Sequence, residues 1–182
     1  MGIAEVGKRY GDYLADRPDG ITDQEYRLHV MARAGYPFAF VVHIVFVAIF
    51  WWIEAWPLVW FNIASVILFT LIIWFVCVKN RYAAWPFVLA NLVEIPAHGL
   101  LATMWFGIEP AFNFYIVNTV VMVMILPFIR RRTRVALSIL YLLLLASNGA
   151  YVLMNGAVDP QGTLFNTMFL WSSVASCSTL ST

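Results

Sequence analysis

The sequence predicts an all-α, polytopic membrane protein: a bundle of six transmembrane helices with the N- and C-termini both in the cytoplasm. Three observations predict it. Of the 182 residues, 62% are hydrophobic and mean hydropathy is +0.79, against roughly 45–50% apolar usage in soluble domains. Six apolar stretches, each near the roughly 20 residues that cross a bilayer core of about 30 Å, are separated by short polar connections. All eleven Lys and Arg then fall on one side of the membrane. Lys8, Arg9, Arg17, Arg27 and Arg33 precede the first stretch, Lys79 and Arg81 follow the second, and Arg130, Arg131, Arg132 and Arg134 follow the fourth. The opposite connections carry only Glu54, Glu109 and Asp159. Basic residues collect in short cytoplasmic loops, which sets the orientation and points to a multi-pass protein of the cell's inner membrane.

Residues 1–33 form a cytoplasmic N-terminal segment with a short helix. Thr22-Asp23-Gln24-Glu25 has the form of a capping box, with Thr22 as N-cap and Glu25 three residues on. The helix that starts there runs towards the membrane, and Gly35 and Pro37 are expected to bend or interrupt it. Residues 34–182 form one transmembrane domain with spans at about 35–53, 57–78, 85–106, 112–129, 135–153 and 164–181. Trp51, Trp52, Trp56 and Trp60 gather around the first external turn and Trp85 sits at an internal edge, as expected of rings that favour the headgroup layer. Short connections after spans one and three make antiparallel hairpins the building unit. Span six is interrupted by Thr167, Ser172, Ser173, Ser176, Ser178 and Thr179. Small residues at this spacing allow close helix approach, either inside the bundle or at the seam of a homodimer.

Composition also excludes function classes. A net charge of +1 argues against nucleic acid as a partner. The first thirty-odd residues lack the basic tip and apolar run of a cleavable signal peptide, and Val6 occupies the place a myristoylation site reserves for Ser or Thr. Cys77 and Cys177 both fall inside expected spans and read as small apolar packers. No Walker loop, zincin helix or nucleophile elbow is present, so these residues contain no recognisable catalytic domain. The Arg130-Arg131-Arg132 run reads as the basic anchor of two adjacent spans.

The residues that could carry chemistry lie on span three. Asn91, Glu94, His98 and Trp105 stand at i, i+3, i+7 and i+14, within about 60° of one another on an α-helix. A carboxylate near mid-bilayer costs several kcal/mol unless it is paired, neutralised or facing water, so Glu94 should point into the bundle. His98, one turn further, can pair with it. His43 lies near the same depth in span one, and Asn62, Tyr115, Asn118 and Asn148 could add polar groups to a small pocket. The candidate ligand-binding or sensing residues are therefore His43, Asn91, Glu94, His98 and Tyr115. Four readings fit such a cluster. It could be a buried network that fixes helix register, or a pocket sensing protons or a small ligand. It could also be a metal or haem site using His43, Glu94 and His98, or part of a transport pathway. No motif names a cofactor.

Glu94-x-x-x-His98, followed by Gly107-x-Glu109-x-x-Phe112-x-x-Tyr115, resembles the six-helix membrane domain found ahead of bacterial class III adenylate/guanylate cyclase domains and of related diguanylate cyclases. That family has a span-three Glu/His pair and an outer turn of the type Gly-Trp-Glu-x-Gly-Phe-x-x-Tyr; here Ile108 stands in the Trp position and Ala111 in the second Gly position. Phe61-Asn62-Ile63-Ala64-Ser65 is similar to the family's second helix. The likeness covers the whole chain in topology and about residues 57–129 in detail. It implies a dimeric regulator of the inner membrane in which ligand binding or protonation is transmitted through span six to a cytoplasmic output domain absent from these residues. Two alternatives of other classes are a small redox protein with haem or metal on His43 and His98, and a purely structural dimerising anchor.

Overall fold

A computed structural model describes residues 3–108 and 111–158, with side chains from Glu5 onward. Among the described residues the chain is all-helical. Six helices follow in order: α1 (Ile3–Ala15), α2 (Asp23–Trp52), α3 (Trp56–Val78), α4 (Ala84–Phe106), α5 (Phe114–Ile125) and α6 (Arg131–Asn155). Of these, α2, α3, α4 and α6 are long and apolar enough to cross a membrane, and the chain is a membrane protein. Internal packing divides it into two compact halves, Met1–Phe87 and Val88–Thr182, with the boundary inside α4.

In the first half, α2 begins at the expected capping box. The Glu25 N–H donates to Thr22 Oγ1 at 3.3 Å and the Thr22 N–H to Glu25 Oε2 at 2.9 Å. The helix then runs through Gly35 and Pro37 without a break, which corrects the expected interruption. An internal proline costs about 3 kcal/mol. Here the turn that precedes it is held, since Arg33 and Tyr36 are buried and the Tyr36 ring packs 5.9 Å from Phe69 and 6.1 Å from Phe87. A tight turn with Glu54 at φ 59° reverses the chain, and Pro57 opens α3 in its first turn, where its missing N–H costs nothing. The polar side chains of α3 turn back on their own helix: Asn62 donates to Leu58 O at 2.7 Å, Ser65 to Phe61 O at 3.1 Å and Thr70 to Val66 O at 2.7 Å. Such back-bonding lets hydroxyl and amide groups sit in an apolar medium.

The open ends of the α2–α3 hairpin meet at a polar knot. Asn80, at φ 47° in the turn after α3, accepts at Oδ1 from His29 Nε2 at 2.9 Å and from Arg33 Nη1 at 3.1 Å. Its amide donates to Asp16 Oδ2 at 2.9 Å. Arg33 also donates to Asp16 O at 2.9 Å and lies 3.6 Å over the Tyr13 ring. His29 and Arg33 are both buried. This knot ties α1 to the hairpin and places residues 13–16 and the 79–83 turn at the same end of it. The helix at Ile3–Ala15 adds to the expected elements, and Val6, Tyr10, Tyr13 and Leu14 carry the spacing of its apolar face.

In the second half, α5 is shorter than the expected span at 112–129. Its 12 residues reach about 18 Å, because Leu126 is extended at ψ 116°, the conformation that Pro127 imposes on its predecessor. α6 starts at the arginine run and ends at Asn155, and Gly156 after it has φ 79° and ψ 169°, a conformation open to glycine. Ile116, Val123 and Tyr141 form the buried centre of this half, with Leu92, Leu100, Val120, Leu137, Leu144 and Leu145 packed against it. The expected span at 164–181, with Cys177, lies outside the described residues, as do Glu109 and Asp159.

Candidate functional site on α4

The unusual feature of α4 is its main chain. From Val88 to Glu94 it widens to i→i+5 hydrogen bonding before returning to α-helix at Ile95. Such π segments are rare and gather at functional positions. The cause is local. Pro96 has no N–H to return to the Leu92 carbonyl four residues earlier, and its ring crowds that oxygen. The hydroxyl of Tyr141, on α6, donates to Leu92 O. A second α6 side chain, Asn148, donates to Leu100 O at 3.4 Å. Two polar residues of α6 thus serve the backbone of α4 on either side of the proline.

Glu94 closes the π segment and His98 stands one turn on. Their side chains are each 5% exposed, with Glu94 Oε1 3.8 Å from His98 Nδ1. That is ion-pair reach rather than a hydrogen bond. The His98 ring lies nearly parallel to Phe112 and Tyr115, with centroids 6.3 and 6.0 Å away. The imidazole thus has the Glu94 carboxyl and two aromatic rings as neighbours. The close packing depends on Gly99. A Cβ at that position would stand 2.9 Å from Phe112 O and 3.1 Å from Tyr115 Cβ, so glycine is what lets α5 and its preceding turn approach α4. Thr103 folds its hydroxyl back on Gly99 O at 2.7 Å.

The second half therefore brings Glu94, His98 and Tyr115 together, with Tyr115 partly buried and Asn91 buried one turn before Glu94. The stripe expected from a uniform 100° per residue does not hold through the π segment, yet Asn91, Glu94 and His98 are all buried, and Trp105 is partly so. His43 belongs to the first half. It is buried on α2, its Nδ1 lies 2.6 Å from Ala39 O and its ring stands 4.9 Å from Phe69. A carbonyl oxygen can only accept, so Nδ1 is the donor of that bond. Asn62 is fully buried and Asn118 partly so. Within this half, Glu94 and His98 each offer one possible metal-ligand atom, a carboxylate oxygen and an imidazole nitrogen.

Sequence reasoning missed Tyr141 and Gly99. A signal existed for Tyr141, because Pro96 announces an unserved carbonyl at Leu92 and some neighbouring donor must meet it in an apolar medium. Nothing in the sequence distinguishes Gly99 from other glycines.

Compared with known proteins, the chain matches no family model, no curated protein and no solved structure.

Proposed function

We propose that the chain is a membrane-embedded sensory or regulatory domain whose responsive element is the buried Glu94–His98 pair. The observation that carries the reading is the placement of an acid and an imidazole, each 5% exposed and 3.8 Å apart, at the junction between a π segment and a proline-led α-helix. In a low-dielectric interior such a pair exists either as carboxylate with imidazolium or as two neutral groups. The exchange of one proton, or the arrival of a small polar ligand, changes the charge beside Tyr115 and Phe112. The adjacent π segment supplies a second packing, since reversion to α-helical hydrogen bonding shifts register by about one residue, or about 100° of rotation.

In this reading His43, Asn91 and Tyr115 complete the set of sensing candidates. The chain crosses the inner membrane six times with both termini cytoplasmic, pairs as a homodimer and passes its state through the sixth span to an output domain of nucleotide-cyclase type. A coupling of about 1–3 kcal/mol is enough to change such an output several-fold.

The test is infrared titration of the carboxyl band together with amide hydrogen exchange, both in lipid nanodiscs. Glu94→Gln removes a titrating band and His98→Gln moves its midpoint. Exchange in α5 and α6 follows the same midpoint in the wild type and becomes independent of pH in Glu94→Gln. A band that titrates while exchange stays constant leaves a static network and sinks the sensory reading.

A further inference from the structure

We infer that α1 lies in the headgroup layer of the bilayer at the open end of the α2–α3 hairpin, with Val6 and Tyr10 inserted among the lipids. Val6 and Tyr10 are 47% and 51% exposed. With Tyr13 and Leu14 they stand at i, i+4, i+7 and i+8, one face of a helix, whereas Glu5, Lys8 and Asp12 fall away from it and Arg9 borders it. The Tyr10 ring stacks on Tyr13 at 6.2 Å, so the apolar face continues directly from the ring that carries Arg33.

What covers this face follows from where its end is tied. Tyr13 sits beneath Arg33, Asp16 is bonded to Arg33 and Asn80, and the Tyr26 hydroxyl donates to Ala15 O at 3.1 Å. Asn80 lies between Lys79 and Arg81 in the turn where α3 leaves the membrane. The clasp therefore pins α1 at the bilayer boundary, next to the lipid that already surrounds the hairpin. A 13-residue helix is about 20 Å long, too short to cross, and an amphipathic helix held at that level lies in the interface with its apolar face down. The four charges of α1 cancel, two acidic against two basic. Insertion is thus carried by apolar area and should be nearly indifferent to salt.

The test places single cysteines at Val6, Tyr10, Lys8 and Asp12 in the full chain carrying Cys77→Ser and Cys177→Ser. Each is labelled with an environment-sensitive fluorophore in phosphatidylcholine nanodiscs, with and without lipids spin-labelled near the headgroup. Labels at positions 6 and 10 are expected to be quenched several-fold more than those at 8 and 12, at low and high salt alike. Equal, weak quenching at all four positions overturns the inference. So does energy transfer between labels at position 6 on two copies without lipid quenching, which would mean that a second chain covers the face.

Discussion

The hydroxyl of Tyr141 donates to the main-chain oxygen of Leu92, the carbonyl that Pro96 cannot serve. Sequence separation hides this relationship, because donor and acceptor stand 49 positions apart in the chain. Tyr141→Phe should destabilise the protein by between about 0.6 and 2 kcal/mol, the range for hydrogen bonds between helices in bilayers. Reversible unfolding in mixed micelles measures it. In a Pro96→Ala background the restored N–H can take over the Leu92 carbonyl, so the cost of Tyr141→Phe should shrink; equal costs in both backgrounds would break the link between proline and tyrosine.

Gly99→Ala should cost about 1–3 kcal/mol, the usual penalty for overpacking. The new methyl meets Phe112 O at 2.9 Å, and a backbone oxygen cannot swing aside as a side-chain tip can. Gly149→Ala on α6, where a Cβ meets nothing within 4 Å, is the matched control and should be neutral or slightly stabilising. Thermal denaturation of both variants in one detergent distinguishes them.

Asn80→Ala removes the shared acceptor of His29 and Arg33 and the donor to Asp16. Amide exchange in α1 should accelerate about tenfold, equivalent to about 1.4 kcal/mol, while the α2–α3 hairpin stays protected. Asn80→Gly accepts the positive φ of 47° without strain yet lacks the same side chain. It should therefore accelerate exchange as well, and a wild-type rate in that variant would assign the effect to backbone strain.

Tyr82 lies in the turn between α3 and α4, and burial of its hydroxyl, with the Glu25 carboxylate adding to it, pushes the phenol up to about 12. The folded protein holds this proton more tightly than the unfolded chain, where a tyrosine titrates near 10. Stability is unaffected below about pH 10 and falls as pH rises from about 10 towards 12, since only the unfolded state gains by ionising. Tyr82→Phe should flatten that alkaline decline, as read from denaturant midpoints across the interval. An unchanged slope would place the alkaline loss elsewhere.

Membrane residence, the capping box at Thr22 and the four long apolar helices were legible because they depend on quantities that sum along the chain: hydropathy, length and local hydrogen-bonding chemistry. Burial of Glu94 and His98 was legible for a related reason, since an ionisable group in an apolar helix has few tolerable places to go. The failures share a physical cause. Gly35 and Pro37 read as a bend or an interruption, yet α2 continues through them, with Arg33 and Tyr36 buried in the turn before the proline. A uniform 100° per residue fails from Val88 to Glu94, where the helix widens ahead of Pro96. The fourth expected span is cut short at Leu126, and α1 passed unnoticed because its apolar face is only a few residues long.

The sequence by itself determined that this chain lives in a bilayer as helices and that an acid and an imidazole would sit one turn apart inside it, because transfer free energies and helical spacing are local properties. Only the tertiary structure decided which partners those helices acquire: Tyr141 for the Leu92 carbonyl, Phe112 and Tyr115 for the His98 ring, Asn80 for the buried His29 and Arg33. Those choices depend on groups distant in sequence meeting in an apolar medium, where every unserved polar atom must find whichever donor or acceptor the packing brings within reach.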